Sequence, residues 1–251
     1  YYIMEYLENG SLASHLVDGP LSASEAVRIS KGVLRGLVHA HGRGILHCDL
    51  KPGNVLLDDD LSPRLCDFGQ SRLSHEQDPA LGTLYYMAPE QADLGAHPDA
   101  RWDVYALGAL LYHLLTGVPP HRDNTTERDL AAAGSLADRL AIYRRLVAEK
   151  QRITDHRRQP GVDRRLADIV DRCLQMDPAD RFPNAQSVLD AFTATTGVEV
   201  VQRAAGDTGQ MVATAILTSG NPVGDVMFGV DNTFLQRALD ADLFEPYVSP
   251  G

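Results

Sequence analysis

Eight residues constrain this chain more than any other part of it: His47-Cys48-Asp49-Leu50-Lys51-Pro52-Gly53-Asn54. A carboxylate, a lysine and an amide fall within six positions, beside a Pro and a Gly. Asp67-Phe68-Gly69 begins 13 residues after Asn54, and Ala88-Pro89-Glu90 follows further on. Between the first two clusters lie two short apolar runs, Val55-Leu56-Leu57 and Arg64-Leu65-Cys66. Asp58-Asp59-Asp60 separates them, so the spacing predicts a small hairpin with a polar turn. Taken singly, Asp49 would read as a turn residue and each triplet as weak evidence. Three clusters in this order, joined by a hairpin, are highly specific.

The remaining pattern is mostly helical. Ser22 precedes apolar positions at Ala26, Ile29, Val33, Leu37 and Ala40, at three- and four-residue steps, with His41 at the end. Glu25 stands three residues after Ser22, which predicts a capping box, and Gly42 and Gly44 mark the helix end. Trp102, Tyr105, Ala106, Ala109, Leu110 and His113 mark a strongly apolar helix, stopped after it by Pro119-Pro120. Further helices are expected around Leu136 to Val147, Leu166 to Cys173, and from Asn184 to Phe192. The most apolar stretch, from Val104 to Val118, is too short for a membrane span and contains His113, so it reads as a buried helix.

Composition narrows the function classes. The chain has 251 residues and a formal charge of −11, which disfavours non-specific binding to nucleic acid or to a membrane surface. The bases between Arg139 and Arg165 are interleaved with acids and read as a solvated helix face and loop. Cys48, Cys66 and Cys173 are few, odd in number and widely spaced, which suits a reducing compartment rather than a disulfide framework. Asn124-Thr125-Thr126 matches a glycosylation acceptor but carries little weight without a secretory signal. The chain opens Tyr1-Tyr2-Ile3-Met4 and closes on Ser249-Pro250-Gly251, so a fragment is expected. Residues 191–251 hold 7 acids and 2 bases, and their pattern turns to alternating strand and helix.

The three ordered clusters resemble the catalytic loop, magnesium loop and activation-segment end of protein kinases. The resemblance covers about residues 1–192. It implies a mainly α fold with small β hairpins, the kinase C-terminal lobe from the hinge onward. It also implies ATP and Mg2+ as cofactors, and a protein substrate bearing Ser or Thr. Phosphoryl transfer rests on positioning and electrostatics, so its residues must be fixed charges and hard oxygen ligands. The resemblance casts Asp49 as the base for the substrate hydroxyl and Lys51 as a cation beside the moving phosphate. Asn54 and Asp67 would be the magnesium ligands. Phe68 would pack under the helix that aligns the site, and His47 is expected to be a buried support. The Asp-Leu-Lys-Pro-x-Asn loop is similar to that of serine/threonine kinases. Gly82-Thr83 favours the same class, because Thr83 would contact Asp49 and Lys51. Glu90 would pair with Arg181, and Asp103 would brace the loop.

For ATP, Met4, Glu5 and Leu7 resemble the hinge, with Met4 as gatekeeper. Ser11 falls at the ribose and Leu56 forms the floor. Cys48 stands where many kinases carry an Arg that pairs with an activation-segment phosphate, a pairing a Cys does not make. Activity is therefore expected not to need phosphorylation at Ser71, Ser74 or Thr83.

No Gly-x-Gly-x-x-Gly loop occurs in the 251 residues, and no Val-Ala-x-Lys run reads as a strand, since Val147-Ala148-Glu149-Lys150 closes the helical pattern that begins at Leu136. The chain by itself is therefore expected to have no measurable kinase activity. A non-catalytic pseudokinase or interaction module is the alternative. A cytoplasmic location is expected, with no nucleic-acid partner and no membrane span.

Residues 193–251 are expected to form a short α/β appendage. The run Gly224-Asp225-Val226-Met227-Phe228-Gly229-Val230-Asp231-Asn232-Thr233-Phe234, with Leu243-Phe244-Glu245-Pro246-Tyr247, resembles the thiamine-binding branch of periplasmic solute-binding proteins. Such proteins work outside the cytoplasm, so a chimeric join near residue 190 is favoured over a true fusion.

Overall fold

The computed structural model describes residues 6–68, 81–93, 95–149 and 153–194, together with residue 213. The chain divides into two units, residues 1–199 and 200–251, and the described residues other than 213 lie in the first. Met4, Glu5, Gly69, Ser71, Ser74 and the segment behind the solute-binding resemblance lie outside them.

The described elements run α1 (Leu12–His15), α2 (Ala23–His41), β1 (Val55–Leu57), β2 (Pro63–Leu65), α3 (Leu81–Leu84), α4 (Ala100–Thr116), α5 (Asn124–Ala131), α6 (Leu136–Glu149), α7 (Arg164–Cys173) and α8 (Ala185–Ala194). The architecture is mainly α, with one antiparallel hairpin among the described residues.

Local signals account for most boundaries. Ser22 and Glu25 form the capping box of α2: Glu25 N–H donates to Ser22 Oγ and Ser22 N–H donates to Glu25 Oε2. The Ser22 hydroxyl, which donates to Glu25 Oε2, and then the Ser22 N–H hold the Glu25 carboxyl below its ordinary pKa. Asp99, Asp123 and Asp163 cap α4, α5 and α7 through their side chains. The stop of α4 is Gly117, at φ 79 in the left-handed region, so the helix ends before Pro119-Pro120 is reached. Asn124-Thr125-Thr126 opens α5 behind the Asp123 cap, an element the sequence pattern did not show.

The core lies where α2, α4, α7 and α8 meet. Val33, Leu34, Leu37, Leu110, Leu111, Val170 and Val188 fill it, each worth roughly 1.5–3 kcal/mol of burial. Helix α4 is buried from Trp102 through Tyr112 without interruption, which places it at the centre of the domain. Gly108 lets α4 and α7 cross closely, since a Cβ there would lie 2.5 Å from the Cβ of Cys173.

The hairpin pairs Val55 with Leu65, Leu56 with Arg64 and Leu57 with Pro63. Its turn is tied by Asp58, which accepts from the N–H groups of Asp60 and Ser62 and pairs with Arg64. Pro63 sits at the first position of β2, where its missing N–H costs no ladder bond. Gly32 and Gly36, one turn apart on α2, seat β2. Added Cβ atoms would meet Pro63 at 2.4 Å and Leu65 at 2.9 Å. Two smooth patches on a helix thus hold the hairpin that separates Asn54 from Asp67.

Candidate active site

The loop after α2 is fastened from beneath by one buried carboxylate. Asp103, on α4, is fully buried. Its Oδ2 accepts from the His47 N–H at 2.9 Å and its Oδ1 from the Cys48 N–H at 2.7 Å. His41 Nε2, from the last turn of α2, lies 2.8 Å from the same Oδ2. Three hydrogen bonds offset the cost of burying this charge.

Above that anchor four side chains meet. Lys51 Nζ donates to Asp49 Oδ2 at 2.8 Å and to Thr83 Oγ1 at 3.1 Å. Asn54 Nδ2 donates to the Asp49 carbonyl at 2.8 Å and to Asp49 Oδ2 at 3.0 Å. The loop residues and Thr83 come from segments 32 residues apart, and Lys51 bridges them. Asn54 is held at the end of a 3-10 turn opened by Pro52, where the chain enters β1.

The other predicted residues are placed as follows. Ser11 and Leu56 pair across an isolated antiparallel bridge, and Leu57 N–H donates to the Gly10 carbonyl. Leu7 closes the turn before them, its carbonyl accepting from Gly10 N–H. Asp67 is exposed, with φ 58 in the left-handed region. Phe68 lies against the His47 ring with centroids 4.6 Å apart, and is 39% exposed. The His47 ring is fully buried and its Nδ1 accepts from Asp49 N–H. Burial pushes its pKa down against the pull of Asp103 and Asp49, so the ring is held neutral.

Comparison with known proteins decides the family. The protein kinase domain model matches residues 1–192. The chain belongs to the protein kinase family. It is 35% identical over 194 residues to the serine/threonine-protein kinase PknL of Mycobacterium tuberculosis, covering 74% of this chain and 44% of that protein. Serine/threonine-protein kinase PrkC of Bacillus subtilis is 31% identical over 195 residues, covering 75% of this chain and 28% of PrkC. The DNA damage-responsive kinase RqkA of Deinococcus radiodurans is 43% identical over 128 residues, covering 48% of this chain and 19% of RqkA. The chain therefore spans less than half the length of these relatives.

The kinase framework shows a second buried charge. Arg181 is fully buried and grips Glu90 with both terminal nitrogens, at 2.7 and 2.8 Å. Its remaining donors go to the carbonyls of Gln175, Met176 and Arg101, and its guanidinium lies over the Tyr105 ring. Every face of the cation is occupied, as a buried Arg requires.

Cys48 is buried between Ala88, Trp102 and Tyr105. Burial, with the charges of Asp103 and Asp49, pushes its thiol up to about 12. A thiol so placed stays protonated and unreactive at neutral pH.

Two residues of the site were not predicted from the pattern. His41 reads as one more position on the α2 face, yet it is a partner of Asp103. Gln91 follows Pro89-Glu90 and donates to the Cys48 carbonyl at 2.8 Å. Neither residue belongs to a periodic or motif signal of its own.

Among the described residues no cluster of three or more His, Cys, Asp or Glu forms a metal cage. None of their helices is long and apolar enough to cross a membrane.

Proposed function

We propose that this kinase region transfers the terminal phosphoryl group of ATP to a serine or threonine hydroxyl of a protein substrate. The observation that carries the reading is Lys51, whose ammonium joins Asp49 to Thr83. In that arrangement Asp49 accepts the proton as the substrate oxygen bonds to phosphorus and the bond to the leaving ADP breaks. Lys51 holds Asp49 in place and sets a positive charge where phosphate oxygens pass. Thr83 ties the activation segment to the same point, which orients the incoming hydroxyl.

The donor set suits magnesium. The Asn54 amide nitrogen is spent on Asp49, which leaves its amide oxygen for a cation, and Asp67 offers an exposed carboxylate. Magnesium typically takes one or two such protein oxygens beside water and phosphate. When bound it would neutralise phosphate charge. Leu7, Ser11 and Leu56, with Met4 and Glu5 from the sequence, are assigned to the adenosine. A protein fuelled by ATP fits a cytoplasmic location. The solute-binding resemblance of residues 193–251 is carried by sequence alone and supplies no part of this function.

The test is to incubate the full-length protein with labelled ATP, magnesium and a Ser/Thr-containing protein, then identify the labelled amino acids. Phosphoserine or phosphothreonine is expected. Label on tyrosine, or none, would reject the reading.

A further inference from the structure

The residue immediately before Asp49 is in a costly conformation. Cys48 has φ 60, in the left-handed region that residues with a Cβ avoid at roughly 1–2 kcal/mol. Such a conformation persists only when its surroundings over-determine it. The peptide groups on both sides of Cys48 show how. Its N–H donates to Asp103 Oδ1 at 2.7 Å, from below. Its carbonyl accepts from Gln91 Nε2 at 2.8 Å, from the segment that ends Ala88-Pro89-Glu90. The Cys48 carbonyl belongs to the same peptide plane as the Asp49 N–H, which donates to the buried His47 ring. Fixing that plane fixes the Asp49 Cα and the axis about which its side chain is set.

We infer that Gln91 is a positioning residue: its amide holds the Cys48–Asp49 peptide and so aims Asp49 at the substrate hydroxyl. The inference rests on the phosphoryl-transfer reading of Asp49. It adds a link between the two halves of the site. Gln91 neighbours Glu90, which Arg181 clamps to the domain base. Of the two peptides flanking Cys48, the one before it is thus tied to α4 by Asp103, and the one after it to the Ala88-Pro89-Glu90 segment by Gln91. Nothing in the Gln91 contact touches Asn54, Asp67, Leu7, Ser11 or Leu56. Its loss should therefore leave ATP binding intact.

The experiment compares the full-length protein with Gln91→Met, similar in size but without a donor, and Gln91→Glu, which sets an acceptor against the Cys48 carbonyl. Three readouts are taken: kcat and KM for ATP, melting temperature, and amide hydrogen exchange at residues 47–50. The expected result is a fall in kcat on the order of tenfold to a hundredfold, with KM for ATP unchanged. Melting should shift by only a few degrees, and the Cys48 and Asp49 amides should exchange faster. Unchanged kcat with unchanged exchange overturns the inference. So does a loss of activity that merely follows loss of folded protein, with exchange at these amides unchanged. If the parent protein transfers no phosphate at all, the kinase reading fails by itself. Exchange then still decides the clamp: faster in Gln91→Met supports it, and unchanged exchange refutes it.

Discussion

Two buried charges fasten this domain together, and they do it differently. Arg181 meets Glu90 as a full ion pair, both nitrogens on both oxygens, among backbone carbonyls and an aromatic ring. Asp103 accepts two backbone N–H groups from the catalytic loop and sits against His41. The first joins the end of the activation segment to the segment before α8 and touches no reacting group. The second determines where Asp49 begins. Equal burial therefore serves two purposes: one charge supports the fold, the other the loop that carries the proposed base, Asp49.

That contrast can be broken by mutation. The largest effect on stability is expected from Glu90→Ala, which leaves Arg181 buried without its partner. It should cost about 3–5 kcal/mol in denaturant unfolding. The folded fraction should keep more of its kcat than Asp103→Asn does, losing only what reaches Cys48 through the neighbouring Gln91. Asp103→Asn should behave in the opposite way. It keeps the shape but turns one acceptor into a donor facing other donors, at about 1–3 kcal/mol of stability. Its kcat should fall on the order of tenfold to a hundredfold in protein shown to be folded by circular dichroism. If the two variants lose activity and stability in the same ratio, the distinction is wrong.

A smaller effect follows from pH. Burial lowers the pKa of His113 to about 4, and lowers those of His47 and His156. A histidine held neutral by burial takes up its proton more readily in the unfolded chain. Stability from these groups is therefore complete above about 6.5 and declines as pH falls toward 4. His113 Nδ1 lies 2.6 Å from the Tyr86 hydroxyl, and only a neutral ring leaves that nitrogen able to accept from it. Melting curves of His113→Gln should thus depend less on pH between 6.5 and 4 than those of the parent. The smallest effect concerns Cys48. Its buried, protonated thiol offers no cation for a phosphate. The double variant Ser71→Ala, Ser74→Ala should keep kcat within about twofold, measured on protein treated with phosphatase.

Much of the site was legible because phosphoryl transfer needs particular residue types in order along the chain. Asp49, Lys51 and Asn54 lie within six positions, and the hairpin that carries the chain to Asp67 has its own turn signal. The Ser22–Glu25 capping box is local chemistry and needs no tertiary knowledge. The Glu90–Arg181 pair spans 91 residues and was readable only through the family resemblance. What stayed hidden depends on packing alone. His41 meets Asp103 across 62 residues, and Gln91 meets Cys48 across 43. A histidine on a helix face and a glutamine after Pro-Glu look like surface choices until the chain is folded. Helix α5 was hidden for another reason: Asn124-Thr125-Thr126 are weak helix formers, and the Asp123 cap with packing against α6 overrides them.

The central claim is that Asp49, held by Lys51 and by the strained peptide before it, is the base for phosphoryl transfer. The most direct measurement is the single-turnover rate of labelled phosphate transfer by the full-length protein and its Asp49→Asn variant. The nucleotide affinity of both must be measured beside it. The account predicts a rate lower by about 10²–10⁴-fold with ATP affinity nearly unchanged. A variant that transfers phosphate at the parental rate would contradict it.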